Sequence, residues 1–246
     1  MQFTLGAGKS LAVILALAAA SIVSGCTPPS LKYPTRSVSP QVFRDRVTTL
    51  AYSPLFTTKD AQTDQFVNAV GGQLGRRLQS IGVTLLRPEP WNECWLPAVE
   101  EAGGLYNART GEFDEQKEAR VRWKCEQDLG QRLRIDGFLE VDIIAVSAPL
   151  SQDVVRWHGV EEDTRSFGDR FWSGSTYSGN LPALSLLVRI QDKDGHGLFD
   201  NAGGLEVVGK IEDGQVEKKS GLLHNHETIA RAVQVALRPL LSEEND

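Results

Sequence analysis

Apolar side chains recur every three or four residues in three segments of the chain, which is the spacing of one face of an α-helix. The first segment starts at Asp60 or Thr63 and stops at Gly82, the second covers about residues 112–134, and the third about 225–241. The apolar positions are Phe66, Val70, Leu74 and Leu78, then Val121, Cys125, Leu129 and Leu133, then Ile229, Val233, Leu237 and Leu240. The spacing therefore predicts three amphipathic helices.

From residue 136 onward the apolar period changes to two, which is typical of strands with one buried face. Residues 136–148, 183–192 and 203–213 follow this pattern, and Glu140 and Asp142 lie on the polar side of the first strand. The apolar positions are Leu139, Val141, Ile143 and Ala145, then Leu184, Leu186, Val188 and Ile190, then Leu205, Val207 and Ile211. This predicts an antiparallel sheet whose second face is wet or covered by a helix.

Two shorter apolar segments, residues 46–56 and 83–88, predict strands before and after the first helix. Two insertions, at about residues 89–111 and 150–181, have no clear periodicity. The order is strand, helix, strand, helix, three strands, helix. It predicts an α+β fold with a mixed or antiparallel sheet, three helices and two irregular insertions.

The first residues of the chain have the pattern of a bacterial secretory signal. Lys9 is the only charge before an apolar run of about 13 residues that ends at Val23, and small residues then precede Cys26. The run is shorter than the roughly 20 residues that span a bilayer as a helix. Gly8 and Lys9 also resemble the end of a phosphate-binding loop, but Phe3 occupies the position of that loop's first glycine.

A cysteine directly after small residues resembles the lipobox of bacterial lipoproteins. In that family the cysteine becomes the first mature residue and carries acyl chains, among them palmitate. The resemblance implies lipidation of Cys26, and the absence of aspartate at Thr27 favours the outer membrane. The alternative is a plain secretory signal that contains a cysteine.

These patterns divide the chain into four parts. We expect residues 1–25 to be a signal peptide and residues 26–43, which are rich in proline, to be an extended or disordered tether. Residues 44–241 are expected to form a single α+β domain that contains both insertions, and residues 242–246 a polar tail.

Charge and cysteine content limit the possible partners and the compartment. The net charge is -6 at pH 7 and no basic stripe is visible, which argues against nucleic acid as a partner. Besides Cys26, the chain has Cys94 and Cys125, an even number for an exported protein. We predict a disulfide between them over two free thiols because the periplasm is oxidising. Closing this loop is worth about 3.5 kcal/mol.

Three motifs suggest chemistry but match it poorly. The sequence DKDGHG, residues 192–197, has Ile190 and Asn201 where a calcium loop needs acidic ligands, so it predicts a turn. His224 and His226 are two residues apart and do not face each other, so they indicate the start of a helix and not a zinc site. WSGSTYSG does not match the nucleophile motif G-x-S-x-G. We predict no catalytic residue, metal ligand or cofactor, while a hydrolase assembled from distant residues stays open.

The second insertion contains the most informative segment, RSFGDRFWSGSTYSGN, residues 165–180. It interleaves aromatic side chains with glycine and serine, a composition typical of partner-binding loops. The candidates for partner binding are Phe167, Phe171, Trp172 and Tyr177. The alternative, held equally open, is that these side chains cover the domain's own sheet.

The element order, the lipobox and the hairpin LLVRIQDKDGHGLFD, residues 186–200, together resemble a group of bacterial envelope lipoproteins. The group includes CsgG, PelC and LpoB, and the N-terminal domain of TolB has a similar plan. The resemblance covers about residues 44–149 and 181–241. One departure is DVVRWHGVEEDTRSF, which has charges on both faces and so argues against a membrane-inserted hairpin.

The resemblance implies a non-enzymatic, lipid-anchored binding or assembly component of an envelope export or cell-wall system. The expected location is the outer membrane, facing the periplasm, with envelope proteins as partners and self-association into a homo-oligomer left open. The alternative function is a periplasmic sugar-binding, lipid-binding or hydrolytic domain that uses the aromatic insertion as a pocket.

Overall fold

The computed structural model describes residues 30–54, 63–164, 177–212 and 215–242 of the chain. The helices are α1 (Pro40–Arg46), α2 (Asp64–Gln79), α3 (Glu89–Glu101), α4 (Glu115–Arg132) and α5 (His226–Leu241). The strands are β1 (Arg36–Ser37), β2 (Thr49–Pro54), β3 (Thr84–Leu85), β4 (Gly137–Ser151), β5 (Val154–Trp157), β6 (Val160–Asp163), β7 (Gly179–Asp192), β8 (Gly197–Val207), β9 (Gly209–Glu212) and β10 (Gln215–Lys218). Within these ranges no helix is both long and apolar enough to cross a bilayer.

One sheet contains eight of these strands, with β1-β8-β7-β4-β2-β3 as its main order. Strands β4, β7, β8 and β1 are antiparallel neighbours, whereas β2 is parallel to both β3 and β4. Strands β5 and β6 form a hairpin that continues from β4, and β9 and β10 form a separate pair. The predicted α+β fold with a mixed, mostly antiparallel sheet is confirmed.

Helices α2 and α5 pack on one face of the sheet, the front face, and bury the main core there. The alternating positions predicted from the sequence supply the sheet's share of this core. Its buried members include Val70, Leu74, Leu78, Leu139, Val141, Leu186, Val188, Ile229, Val233 and Leu237. Burying each such side chain contributes roughly 1.5–3 kcal/mol. Both helices begin where the sequence indicates, because Thr63 and Asn225 accept hydrogen bonds from the first backbone N–H groups.

Helices α3 and α4 pack side by side on the opposite, back face. Trp91 of α3 and Leu129 of α4 lie in one buried cluster with Phe138 of β4. The predicted disulfide between Cys94 and Cys125 is present and joins the two helices, with 5.6 Å between the Cα atoms. The bridge therefore fixes a helical hairpin against the sheet.

The prediction that residues 89–111 are irregular is wrong for their first half, which forms α3. The high proline content predicts an irregular segment. However, Pro90 lies in the first helical turn, where the missing N–H removes no helical hydrogen bond. Trp91 and Ala98, seven residues apart, supply the buried side of the helix. Only the glycine-rich turn after it, residues 102–111, lacks a helix or a long strand.

The second insertion, predicted as irregular over residues 150–181, contains the β5–β6 hairpin and the first residues of β7. Trp157 is fully buried and forms a second core with Val155, Val160 and Leu181. Gly204 of β8 makes room for this hairpin, because a Cβ there would lie 2.1 Å from a Val160 methyl group. The part of the insertion between residues 165 and 176 lies outside the described residues.

The predicted tether, residues 26–43, differs from the structure from residue 30 onward. This part lies on the domain: β1 pairs with β8, and Phe43 of α1 is fully buried. The polar and proline-rich composition concealed this docking, since the contacts depend on hydrogen bonds and a single aromatic side chain. Of the predicted tether, only residues 26–29 therefore lie outside the described residues.

Gly203 of β8 lets α5 approach the sheet closely, because a Cβ there would lie 2.0 Å from the Ala232 carbonyl oxygen. We expect Gly203→Ala to force α5 away and to cost about 3 kcal/mol of unfolding free energy. Thermal denaturation should show the loss as a fall in Tm of about 10 °C. Gly197→Ala on the same strand is the matched control, since nothing lies within 4 Å of its Cβ position. Equal effects of the two substitutions would contradict the packing argument.

Candidate functional site

The sequence candidates for partner binding lie only partly in the described residues. Phe167, Phe171 and Trp172 lie outside them, as does Cys26. Tyr177 is half-buried and packs against the second core. For Tyr177 the covering of the domain's own sheet is thus observed, and a partner contact through its exposed part stays a prediction.

Asp153 holds both ends of the aromatic insertion at one point. Its carbonyl oxygen accepts from the Thr164 backbone N–H and hydroxyl, both at 3.0 Å. Its carboxylate accepts from the Tyr177 N–H at 2.7 Å. Asp153 is largely buried and adopts a positive φ of 68°, a conformation that aspartate tolerates better than most residues. The residues on either side of the segment 165–176 are therefore held at the same place.

Residues 30–37, which we call the strap, run along the sheet from the β5–β6 hairpin to β8. Leu31 exchanges backbone hydrogen bonds with Arg156 and His158, at 3.1 and 2.7 Å. Tyr33 donates its hydroxyl to Asp200 at 2.8 Å, and Thr35 donates to the Asn201 side chain at 2.7 Å. Hydrogen bonds to four residues, Arg156, His158, Asp200 and Asn201, thus fix the course of the strap.

The direction of the strap indicates where the preceding chain lies. Leu31 bridges Trp157 in a parallel sense, so the amino-terminal end of the strap points toward the start of β5. That start follows directly on Asp153, which holds the ends of the aromatic insertion. The amino-terminal end of the strap and the two residues that flank the aromatic insertion, Thr164 and Tyr177, therefore lie at the same end of the hairpin.

A buried histidine links the strap to the sheet. The His158 Nδ1 lies 2.8 Å from the Ser185 hydroxyl, and the ring of Tyr33 contacts the imidazole edge-on. Burial lowers the pKa of His158, which favours the neutral ring. Ser185 is fully buried, and no carboxylate in the described part of the chain hydrogen-bonds this imidazole. The pair is therefore not arranged for nucleophilic catalysis.

A row of alternating charges crosses the back face of the sheet. Glu140 lies opposite Arg189, which lies opposite Asp200, which lies opposite Arg36. Residues directly opposite in antiparallel strands share a face, so the four side chains form one row over β4, β7, β8 and β1. Glu140 is almost fully buried, and its two oxygens each accept from Arg122 of α4 at 3.1 Å.

Glu126 of α4 lies beside Glu140. The Gln191 amide donates to Glu126 at 2.7 Å and to Glu140 at 3.2 Å, so it bridges the two groups. Burial and the Glu140 charge raise the pKa of Glu126 to about 7. Burial also raises the pKa values of Glu118 and Asp142 nearby. Helix α4 is therefore attached to the sheet by a seam of carboxyl groups, in which burial favours the protonated form of Glu126.

Little in the amino-acid sequence indicates this seam. Glu140 lies on the polar side of its strand, and the sequence predicts that this face of the sheet is either wet or covered by a helix. The structure shows that helix α4 covers it. Arg122 lies one residue after a predicted apolar position of α4. An arginine beside the buried stripe of a helix, together with a glutamate on a central strand, is the signal that could have indicated the pair.

The other sequence motifs form local structure. Asp192 accepts from the backbone N–H groups of Asp194 and His196 at 3.0 and 2.8 Å, and these bonds hold its pKa low despite some burial. Asp192, Asp194 and His196 come within 4.8 Å of one another, but the hydrogen bonds are those of the predicted turn. His224 and His226 are exposed on either side of the Asn225 cap, at the predicted start of a helix.

Glu126→Gln should change how stability depends on pH. The folded-state pKa of about 7 lies above the ordinary value, so the folded protein loses stability as pH rises toward and through 7. The amide stays neutral, and we expect the variant to gain about 1 kcal/mol over the parent at pH 8 but little at pH 5. Urea denaturation at both pH values measures this difference. The exposed Glu93→Gln of α3 should leave the pH dependence unchanged, and a parallel response of both variants would contradict the assignment.

Comparisons with known proteins give structural likeness alone. No protein-family model matches the chain, and no curated protein matches it. The chain is similar to a solved dodecamer of PelC from Paraburkholderia phytofirmans, with a TM-score of 0.35, 10% identity, and coverage of 85% of this chain and 96% of that one. A variant PelC dodecamer from the same organism gives a TM-score of 0.32, 12% identity, and coverage of 88% and 96%. PelC is one member of the group of envelope lipoproteins that the sequence resembles, and the structural similarity extends over most of the chain at low TM-scores.

Proposed function

We propose that this protein is a lipid-anchored, non-enzymatic binding or assembly component of a bacterial envelope export or cell-wall system. The observation that carries the proposal is the course of the strap. The strap directs the amino-terminal side of the chain to the same end of the hairpin as the aromatic insertion. An anchor and a contact surface at one end of a rigid domain suit a protein that meets its partner beside a membrane.

The strap makes the proposed anchor short. Cys26 precedes Leu31 by five residues, which span at most about 17 Å when fully extended. With acyl chains on Cys26, the β5–β6 end of the domain would stay close to the bilayer surface. This geometry differs from that of a long flexible tether, which would let the domain rotate freely. We place the protein at the outer membrane, facing the periplasm.

The aromatic insertion supplies the proposed contact surface. Phe167, Phe171 and Trp172 lie between Thr164 and Tyr177, the two residues that Asp153 binds. Aromatic side chains bury large areas at little entropic cost, so a few of them dominate many interfaces. The partner would be another envelope protein or a second copy of this chain. Light scattering of the purified protein decides between a monomer and a homo-oligomer.

The anchor is tested with the full-length chain in its native envelope. Globomycin, or the substitution Cys26→Ala, should leave the signal peptide uncut and remove the protein from the outer-membrane fraction. Membrane fractionation and the mass of the amino-terminal peptide measure both effects. Processing and fractionation that match the parent would argue for a plain secretory signal.

The contact surface is tested by crosslinking in the envelope followed by mass spectrometry. Trp172→Ala should lower the yield of partner crosslinks about fivefold, because losing an interface aromatic commonly costs more than 1 kcal/mol. Trp123→Ala on α4 is the matched control, since this tryptophan is 64% exposed and lies outside the insertion. Its crosslinks should equal those of the parent. If Trp172→Ala instead lowers the Tm sharply, the insertion covers the domain's own sheet and the proposal fails for this surface.

A further inference from the structure

An open groove of about 500 Å³ lies on the back face of the sheet, where helices α3 and α4 do not cover it. Strands β1, β7 and β8 and the turn between β7 and β8 surround it. Its polar lining includes Arg36, Ser37, Glu140, Arg189, Gln191 and Asp200. The groove therefore contains the whole charge row, and its volume falls within the roughly 300–1,000 Å³ typical of ligand sites.

The two guanidinium groups in this groove have little to bind within the protein. No carboxylate in the described residues lies within ion-pair distance of Arg36, which is exposed. Arg189 has one ion pair, with Glu140, at the long distance of 3.7 Å. Each guanidinium has five N–H donors, so most of these donors face the groove without a protein acceptor.

Both carboxylates of the row accept hydrogen bonds from protein groups other than Arg36 and Arg189. Glu140 accepts from Arg122 through both oxygens and from Gln191 through one. Asp200 accepts the hydroxyl of Tyr33. Arg189 is thus not needed to compensate the buried Glu140 charge.

The two arginines of the groove lie two strands apart on the same face of the sheet. Arg36 and Arg189 flank Asp200 on neighbouring strands, so their Cα atoms are about 10 Å apart, which is two strand spacings. Burial, the hydrogen bond to Asp200 and its charge raise the pKa of Tyr33 to about 12, while the charges of Arg189 and Arg36 both act to lower it. The strand pairing therefore places Arg36 and Arg189 on either side of the Asp200–Tyr33 pair.

The remaining charges select among anions. A guanidinium pair binds planar anions with two acceptor oxygens, such as carboxylate, through parallel hydrogen bonds. Asp200 and Glu140 repel a doubly charged phosphate more strongly than a singly charged carboxylate. The free lone pairs of Asp200 also accept hydroxyl donors from a ligand that carries both kinds of group.

We propose that this groove binds a small ligand with one carboxylate and neighbouring hydroxyl groups, the chemistry of a sugar acid. Arg36 and Arg189 hold the carboxylate, and Asp200 and Gln191 hydrogen-bond the hydroxyl groups. The site is distinct from the aromatic insertion and does not depend on lipid anchoring.

Isothermal titration of the full-length protein in detergent tests this site, with D-glucuronate, D-glucose and inorganic phosphate as probes. We expect saturable glucuronate binding that is about tenfold tighter than glucose binding, since glucose lacks only the carboxylate. Equal binding of glucuronate and glucose would overturn the proposal. Phosphate binding that equals or exceeds glucuronate binding would overturn the assignment to a carboxylate.

Two substitutions locate the binding. Arg36→Gln and Arg189→Gln should each weaken glucuronate binding about tenfold, whereas Arg109→Gln in the exposed loop after α3 should have no effect. Arg36 is exposed and unpaired in the described structure, so its variant keeps the test valid even if Arg189→Gln lowers the Tm. Unchanged glucuronate affinity in the Arg36→Gln variant would place the anion elsewhere and contradict the proposal.

Discussion

The antiparallel pairing of β4 with β7 is the constraint on which the rest of the structure depends. Fourteen residue pairs run without interruption from Gly137 and Asp192 to Leu150 and Gly179. One end of this ladder carries the main core under α2 and α5, and the other end carries the second core under the β5–β6 hairpin. A slip of one residue would turn Glu140 into the main core and its apolar neighbours toward α4. Gly137 helps to hold this register, because a Cβ there would lie 2.1 Å from the Gln191 carbonyl oxygen.

The back face of the ladder contains an unusual amount of buried charge for a protein of this size. Removing Glu140, Glu126 and Arg122 from water costs free energy, and their mutual contacts offset that cost only with good geometry. Apolar residues at these positions would let α4 slide along the sheet, whereas hydrogen bonds fix one arrangement. The disulfide ties the same helix to α3. Together they explain how a helical hairpin with a mostly polar surface stays in place.

The periodic elements could be predicted from the sequence because one physical cause, the burial of a regular apolar face, dominates them. Helices α2, α4 and α5 and strands β4, β7 and β8 belong to this class. Helix α3 was missed because prolines at its start suppress the helical signal although they do no harm in the first turn. The docking of residues 30–43 depends on long-range hydrogen bonds from Tyr33 and Thr35, which leave no periodic trace. The charge row could not be predicted for a related reason. Its residues are brought together only by the register of four strands.

The attachment of both ends of the aromatic insertion to Asp153 has a consequence for how this protein can diverge. Since the segment starts and returns at one residue, its length and composition can change without displacing any strand. Mutations in the segment have little effect on the stability of the scaffold. Related chains can therefore acquire new binding partners while they keep the same fold. Selection would then act on the insertion and on the scaffold as two separable traits.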